Sequence, residues 1–284
     1  MRKICSFIYN KFLKTRFWYY RIFKPYNLSN YSSLFKSGRT LTFNDDFNKV
    51  SWSTGKESKW LIGESYGLFH ENKLAVHYGA PELYGDSYAK FTVKFKQKSF
   101  YLNSKSITIP FEASLLSSAY SLKQQYGRFE CRCTIPHDRG VWPAFWLWGE
   151  TWPPEIDVFE LYGGKKGRTA AVQELCVHYG NDSEGKKNIG GKKIRVEKRN
   201  EKFLDALPQF HEFAVEWTPD KIEFFTDSIK VYEFSDKKIL DKWFNVDTAK
   251  MQMIINHSIK DHIVKSNEID YYSEFFVDYI RAYK

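Results

Sequence analysis

No run of about 20 apolar residues occurs anywhere in this 284-residue chain, so no membrane-spanning helix is expected. Cysteine is scarce. Cys5, Cys131, Cys133 and Cys176 are the four present, and none has metal-site spacing. Cys131 and Cys133 would share one face of a strand, which is awkward geometry for a mutual disulfide. No disulfide framework is therefore expected, and the redox compartment stays open. Asp and Glu are missing from residues 1–40, which carry nine Lys and Arg. Setting those nine aside leaves 34 of the 43 basic residues against 34 acids. The net charge of +9 thus belongs to the N-terminal segment and argues little about the ligand of the main domain. The basic stretch "GKKNIGGKKIRVEKRNEK" (185–202) carries two Glu and reads as a solvated loop and strand.

That segment, "MRKICSFIYNKFLKTRFWYYRIFKPY", is basic and aromatic. It has no uninterrupted apolar stretch and no small-residue cleavage site, so a signal peptide is not expected. Contact of residues 1–25 with a membrane surface is one reading, and a docked extension is another. Residues 27–38 are polar and read as a linker, so the domain boundary falls near residue 40. The organisation expected is an extension and linker over 1–40 and one domain over 41–284.

Beyond residue 40 no repeats occur, and short alternating runs dominate. In "AKFTVKFK" (89–96), Ala89, Phe91, Val93 and Phe95 take one face and Lys90, Thr92, Lys94 and Lys96 the other. In "FECRCTI" (129–135), Phe129, Cys131, Cys133 and Ile135 alternate with Glu130, Arg132 and Thr134. "HEFAVEWTPDKIEFFTD" (211–227) reads as two strands joined at Thr218-Pro219-Asp220. Residues 251–259 and 274–284 read as two more, and only 237–244 suggests helix. Many strands and few helices predict an all-β sandwich or jelly roll.

One strand breaks its own rule. In "WPPEIDVFELYGG" (152–164), Glu155 and Asp157 share a face, but strict alternation would turn Glu160 into the core. Burying a lone carboxylate there costs several kcal/mol. A β-bulge near Phe159 removes the conflict, because one extra residue restores the phase. Ile156, Val158 and Leu161 then face inward, and all three acids line one surface. Like charges so placed repel, and general acid/base chemistry would explain the arrangement. Retaining glycosidases hold two carboxyls roughly 5–5.5 Å apart. Four effective steps on a flat strand span about 13 Å, so the tips converge only on a concave sheet. An acidic edge neutralised by Lys and Arg and a Ca²⁺ site remain alternatives.

Trp142, Trp146, Trp148 and Trp152 fall within eleven residues, in "VWPAFWLWGETW". As a strand, 142, 144, 146 and 148 share a face, while Phe145 and Leu147 share the other. Sugar rings stack on indoles, though tryptophans also fill cores. His178, in "ELCVHYG", closes a neighbouring strand; it is a structural residue, a donor to substrate or a partner of Glu160.

These segments, with "YGRFECRCTIP" and the closing "FFVDYIRAY", resemble glycoside hydrolase family 16 from about "TFNDDFN" (42–48) to the C-terminus. That family includes laminarinases, lichenases, agarases, porphyranases and carrageenases. The resemblance implies a concave β-sandwich jelly roll of the concanavalin A type. It implies hydrolysis of internal β-linkages with retention, with Glu155 as nucleophile, Asp157 as helper and Glu160 as acid/base. Trp146 matches the tryptophan near the cleaved sugar, and His178 the histidine of the bulged branch. Trp142 and Trp152 join them as expected substrate-binding residues. "NHSIKDH" (256–262) stands where many laminarinase-like members carry Gly-Gly. The loops over 62–88 and 180–205 match no substrate pattern, and residues 1–40 have no counterpart.

The expectation is therefore a retaining endo-glycosidase acting on a β-1,3-glucan or an algal galactan. Transglycosylation and cleavage-free, lectin-like binding are the alternatives. DNA binding through the basic tail would show salt-sensitive affinity lost on deleting 1–40; no nucleic-acid partner is expected. No cofactor is required, although Asp278 is a candidate ligand for a structural Ca²⁺. A monomer is expected, and the resemblance implies a place outside the cell or on its surface.

Overall fold

The computed structural model describes residues 38–63, 75–85, 87–102, 105–164, 172–180, 188–195, 210–260 and 263–284. Cys5, the segment 1–25 and nearly all of the 1–40 extension lie outside the described residues. So do 64–74, 86, 181–187 and 196–205 of the two loops expected to shape a groove. No described helix is long and apolar enough to cross a membrane.

Strands account for most of the rest. They are β1 Leu41–Asp45, β2 Trp52–Ser53, β3 Trp60–Ile62, β4 Ala75–Gly79, β5 Glu82–Tyr84, β6 Tyr88–Leu102, β7 Lys105–Ser117 and β8 Gly127–Thr134. They continue with β9 Val141–Trp148, β10 Glu155–Leu161, β11 Val172–Tyr179, β12 Asn188–Arg195, β13 Phe210–Trp217, β14 Ile222–Thr226, β15 Ile229–Phe234, β16 Gln252–Ile259 and β17 Tyr272–Tyr283. Pairing is antiparallel except between β2 and β3 and between β4 and β7. The helical turns expected near 237–244 are present over Lys237–Phe244, opened by Asp236, whose carboxylate accepts from the backbone N–H groups of Lys238 and Ile239.

The fold is an all-β concave sandwich of the jelly-roll type. One layer runs β7-β16-β9-β10-β11-β12 and carries the three acids. The other runs β6-β17-β8-β13-β14-β15. The long β6–β7 hairpin passes from one layer to the other. Alternation decides what lies between them. Phe145 and Leu147 of β9, Ile156 and Val158 of β10, and Leu175 and Val177 of β11 pack against Phe129, Cys131 and Cys133 of β8 and Phe213, Val215 and Trp217 of β13. Cys131 and Cys133 are buried free thiols on the same face.

On the other face of β8, Arg128 and Glu130 are buried. Glu130 is fully buried, with Arg128 Nε donating to its Oε2 at 3.0 Å. The Arg128 guanidinium lies over the Phe225 ring, and Tyr283 donates to Glu130 as well. A buried ion pair is tolerated when its remaining lone pairs are satisfied in this way.

Candidate active site

The acids owe their shared face to one extra residue in β10. Against β9, Asp157 pairs with Trp146 but Phe159 with Phe145, so two steps on β10 match one on its neighbour. Against β11, Asp157 pairs with Cys176 and Glu160 with Glu174, three steps matching two. This is a β-bulge seen from both sides. Val158 and Phe159 are consecutive, yet both lie in the core, and the phase reverses between them. Glu160 consequently stands beside Ala144 on the tryptophan-bearing face of β9.

Each acid has its own hydrogen-bond donors. Trp152 Nε1 donates to Glu155 Oε2 at 2.6 Å. Trp142 Nε1 and the Tyr162 hydroxyl both donate to Glu160 Oε1, each at 2.8 Å. Nε2 of His178 lies 2.8 Å from Oδ2 of Asp157. His178 thus partners Asp157 rather than Glu160, because it pairs in register with Glu155, at the opposite end of β10 from Glu160. Glu174 also lies near this face and is ion-paired with Lys193.

Crowding shifts the protonation of these groups. Burial, followed by the charge of Asp157, holds the Glu155 carboxyl well above the usual carboxylate range, and His178 and Trp152 oppose that shift. Burial and then the charge of Glu160 raise Asp157 similarly, against a hydrogen bond to Glu155. Glu155 and Asp157 therefore titrate as interacting groups rather than independently. Burial and the nearby Glu160 carboxylate keep the Tyr162 phenol far above its ordinary value, so its hydroxyl stays a donor. Burial and the surrounding acids, Asp157 foremost, push the Cys176 thiol up to about 12.

The tryptophans divide into different roles. Trp146 is 6% exposed and forms the floor, its indole N–H donating to Asn256 Oδ1 at 3.0 Å. Trp148 meets Trp146 edge-on and lies nearly parallel to Trp152, with centroids 6.5 Å apart and 22° between planes. Trp152 also contacts the His178 ring. One face of Trp142 is not an open platform, because Lys260 Nζ sits 3.5 Å from its ring centroid and 4.0 Å from that of Tyr162.

Tyr162, Asn256, Lys260 and Cys176 belong to this site without having been singled out from sequence. Tyr162 follows Glu160 by two residues, so continued alternation past the bulge pointed to it. The other three come from neighbouring strands, and only register places them. Asp278, the candidate Ca²⁺ ligand, is ion-paired with Arg132. A guanidinium in place of oxygen donors does not fit a calcium site. Among the described residues, the side chains that cluster as metal ligands are Asp157, Cys176 and His178.

Comparison with known proteins follows the same outline. The family model for glycosyl hydrolases family 16 matches residues 84–273. An endo-1,3-1,4-beta-glycanase of Rhizobium meliloti is 27% identical over 214 residues, covering 70% of this chain and 43% of the relative. A beta-glucanase of Rhodothermus marinus is 29% identical over 175 residues, covering 56% of this chain and 57% of the relative. The chain thus spans about half the length of the relatives it matches. The catalytic domain of an endo-1,3-beta-glucanase from Thermotoga petrophila superposes with a TM-score of 0.65 at 18% identity, covering 87% of this chain and 98% of that domain.

Proposed function

The chain belongs to glycosyl hydrolases family 16, and from that premise we propose that it is a retaining endo-glycosidase cleaving internal β-linkages of a polysaccharide. The observation that carries this reading is the bulge in β10, which sets Glu155, Asp157 and Glu160 on the tryptophan-lined face. A β-glucan is favoured over a galactan, since the Rhodothermus marinus relative is named a beta-glucanase and the Thermotoga petrophila neighbour an endo-1,3-beta-glucanase.

The donors support an assignment of roles. Glu155 is the nucleophile: the Trp152 indole N–H stabilises its ionised form, and Asp157, steadied by His178, hydrogen-bonds it. Glu160 is the acid/base. Both of its donors land on Oε1, leaving Oε2 to carry the proton. In the first step Glu155 bonds to the anomeric carbon. The bond to the leaving glycan breaks as Glu160 protonates its oxygen. In the second step Glu160 takes a proton from water, whose oxygen displaces Glu155. Two displacements at one carbon retain its configuration. Trp148 and Trp152 supply the aromatic surface for a sugar ring.

A screen over laminarin, mixed-linkage glucan, agarose, porphyran and carrageenans tests this proposal. The expected result is shorter oligosaccharides from at least one glucan, released first as the β-anomer by NMR, with Glu155→Gln abolishing turnover. Longer products would assign transglycosylation instead. Binding without cleavage of any glycan, or undiminished turnover in Glu155→Gln, would overturn the assignment.

A further inference from the structure

Glycan cleavage as described gives Cys176 no part. Cys176 and His178 lie two residues apart on β11 and so share a face. Cys176 is the register partner of Asp157. The thiol sulfur, a carboxylate oxygen of Asp157 and a ring nitrogen of His178 all lie within 4.8 Å of one another. Two of the three are already in contact, at 2.8 Å.

Donor chemistry selects the ion. Sulfur, imidazole nitrogen and carboxylate oxygen form the mixed set that suits zinc-like and softer divalent cations, whereas Ca²⁺ and Mg²⁺ prefer oxygen alone. Bonds of about 2.0–2.3 Å in tetrahedral geometry put ligand atoms roughly 3.3–3.7 Å apart. Closing the cluster from 4.8 Å therefore takes movements of about 1 Å, within reach of side-chain torsions. The charges of Asp157, Glu160, Glu174 and Glu155 all bear on Cys176. The negative field that keeps a proton on the sulfur also draws in a cation, which displaces that proton.

We propose that Asp157, Cys176 and His178 form an inhibitory binding site for a zinc- or cadmium-type divalent cation. Binding forms metal–sulfur, metal–nitrogen and metal–oxygen bonds and releases the thiol proton to solvent, with no change of oxidation state. It ties down Asp157 and His178, the groups that poise Glu155, and it places positive charge beside the nucleophile. The inhibitory consequence rests on the hydrolase reading above, whereas the binding itself does not.

The test uses the full chain carrying Cys5→Ser, which leaves Cys176 and the buried pair Cys131 and Cys133. Cadmium is titrated while the ultraviolet cadmium–thiolate charge-transfer band is followed. Saturation at one equivalent is expected, with at least tenfold weaker binding and no band after Cys176→Ser or Cys176→Ala. In parallel, Zn²⁺ inhibits glucan hydrolysis reversibly by EDTA, and the Cys176 variants, each measured against its own metal-free rate, need at least tenfold more Zn²⁺ for the same fractional inhibition. A band that persists without Cys176, or equal zinc sensitivity in parent and variants, overturns the site. If no glycan is cleaved at all, the hydrolase reading fails, and the cadmium band alone decides the site.

Discussion

Replacing Trp152 by Phe isolates one hydrogen bond at the nucleophile. Trp152 Nε1 donates to Glu155 Oε2 at 2.6 Å, while the indole ring lies nearly parallel to Trp148. Phenylalanine keeps an aromatic ring for stacking and deletes the donor. Glu155 is already held high by burial and by Asp157, with Trp152 among the groups that favour its ionised form. Without that donor the carboxyl keeps its proton to higher pH. A hydrogen bond to a charged group contributes about 1.5–3 kcal/mol. At 1.36 kcal/mol per factor of ten, that corresponds to roughly ten- to hundredfold.

The loss is pH-dependent in a defined direction. On the acid side of the profile, where the Glu155–Asp157 pair must first ionise, kcat/KM should fall by that factor. On the plateau above it, where the nucleophile is ionised in either protein, the loss should be small. The rising limb, which reports the coupled pair in the free enzyme, moves to higher pH. The assay is the initial rate of glucan hydrolysis at low substrate across the acid and neutral range for the parent and Trp152→Phe. A loss equal at every pH would mean that Trp152 acts on sugar binding alone. A limb that stays in place, or moves to lower pH, would refute the electrostatic argument.

Glu155→Gln should stabilise the fold while destroying activity. The native pKa of Glu155 is raised, so its stability contribution is complete below the unfolded value of about 4.3 and is lost as pH rises through the native value. Calorimetry should show a Tm above the parent's by about 2–4 °C per kcal/mol gained, more at pH 8 than at pH 5; a lower Tm at pH 8 would contradict it. Tyr162→Phe removes one of the two donors to Glu160 Oε1, so kcat should fall about tenfold or more with KM little changed. A change confined to KM would instead make Tyr162 a sugar contact.

Much of the layout was legible because it depends on period two. Phe145 and Leu147 fall inward and Trp146 toward the groove by alternation alone. The hairpin of β13 and β14 follows from Thr218-Pro219-Asp220, where the Thr218 N–H donates to Lys221 O. Even the bulge could be read, since Glu160 is an acid at a position where alternation demands an apolar residue. Glu130 shows the limit of the same reasoning. It alternates like a solvated residue, yet Arg128 on the same strand and Tyr283 of β17 donate to it, and Phe225 of β14 covers the guanidinium.

What stayed hidden depends on register between strands, which no single strand encodes. Lys260 reaches Trp142 because Ser258 is the cross-strand partner of Trp142 and Lys260 follows two residues later, on the same face. Cys176 meets Asp157 because β11 pairs with β10 at that step, short of the bulge. Had the extra residue fallen before Asp157 instead of after it, Glu155 and Glu160 would still share a phase, but Asp157 would turn to the opposite face. The thiol and His178 would then face Glu155 without Asp157 beside them. One inserted residue thus sets both which acids share the groove and which side chains of β11 they meet. The carboxylate chemistry and the cation site consequently depend on the same backbone irregularity.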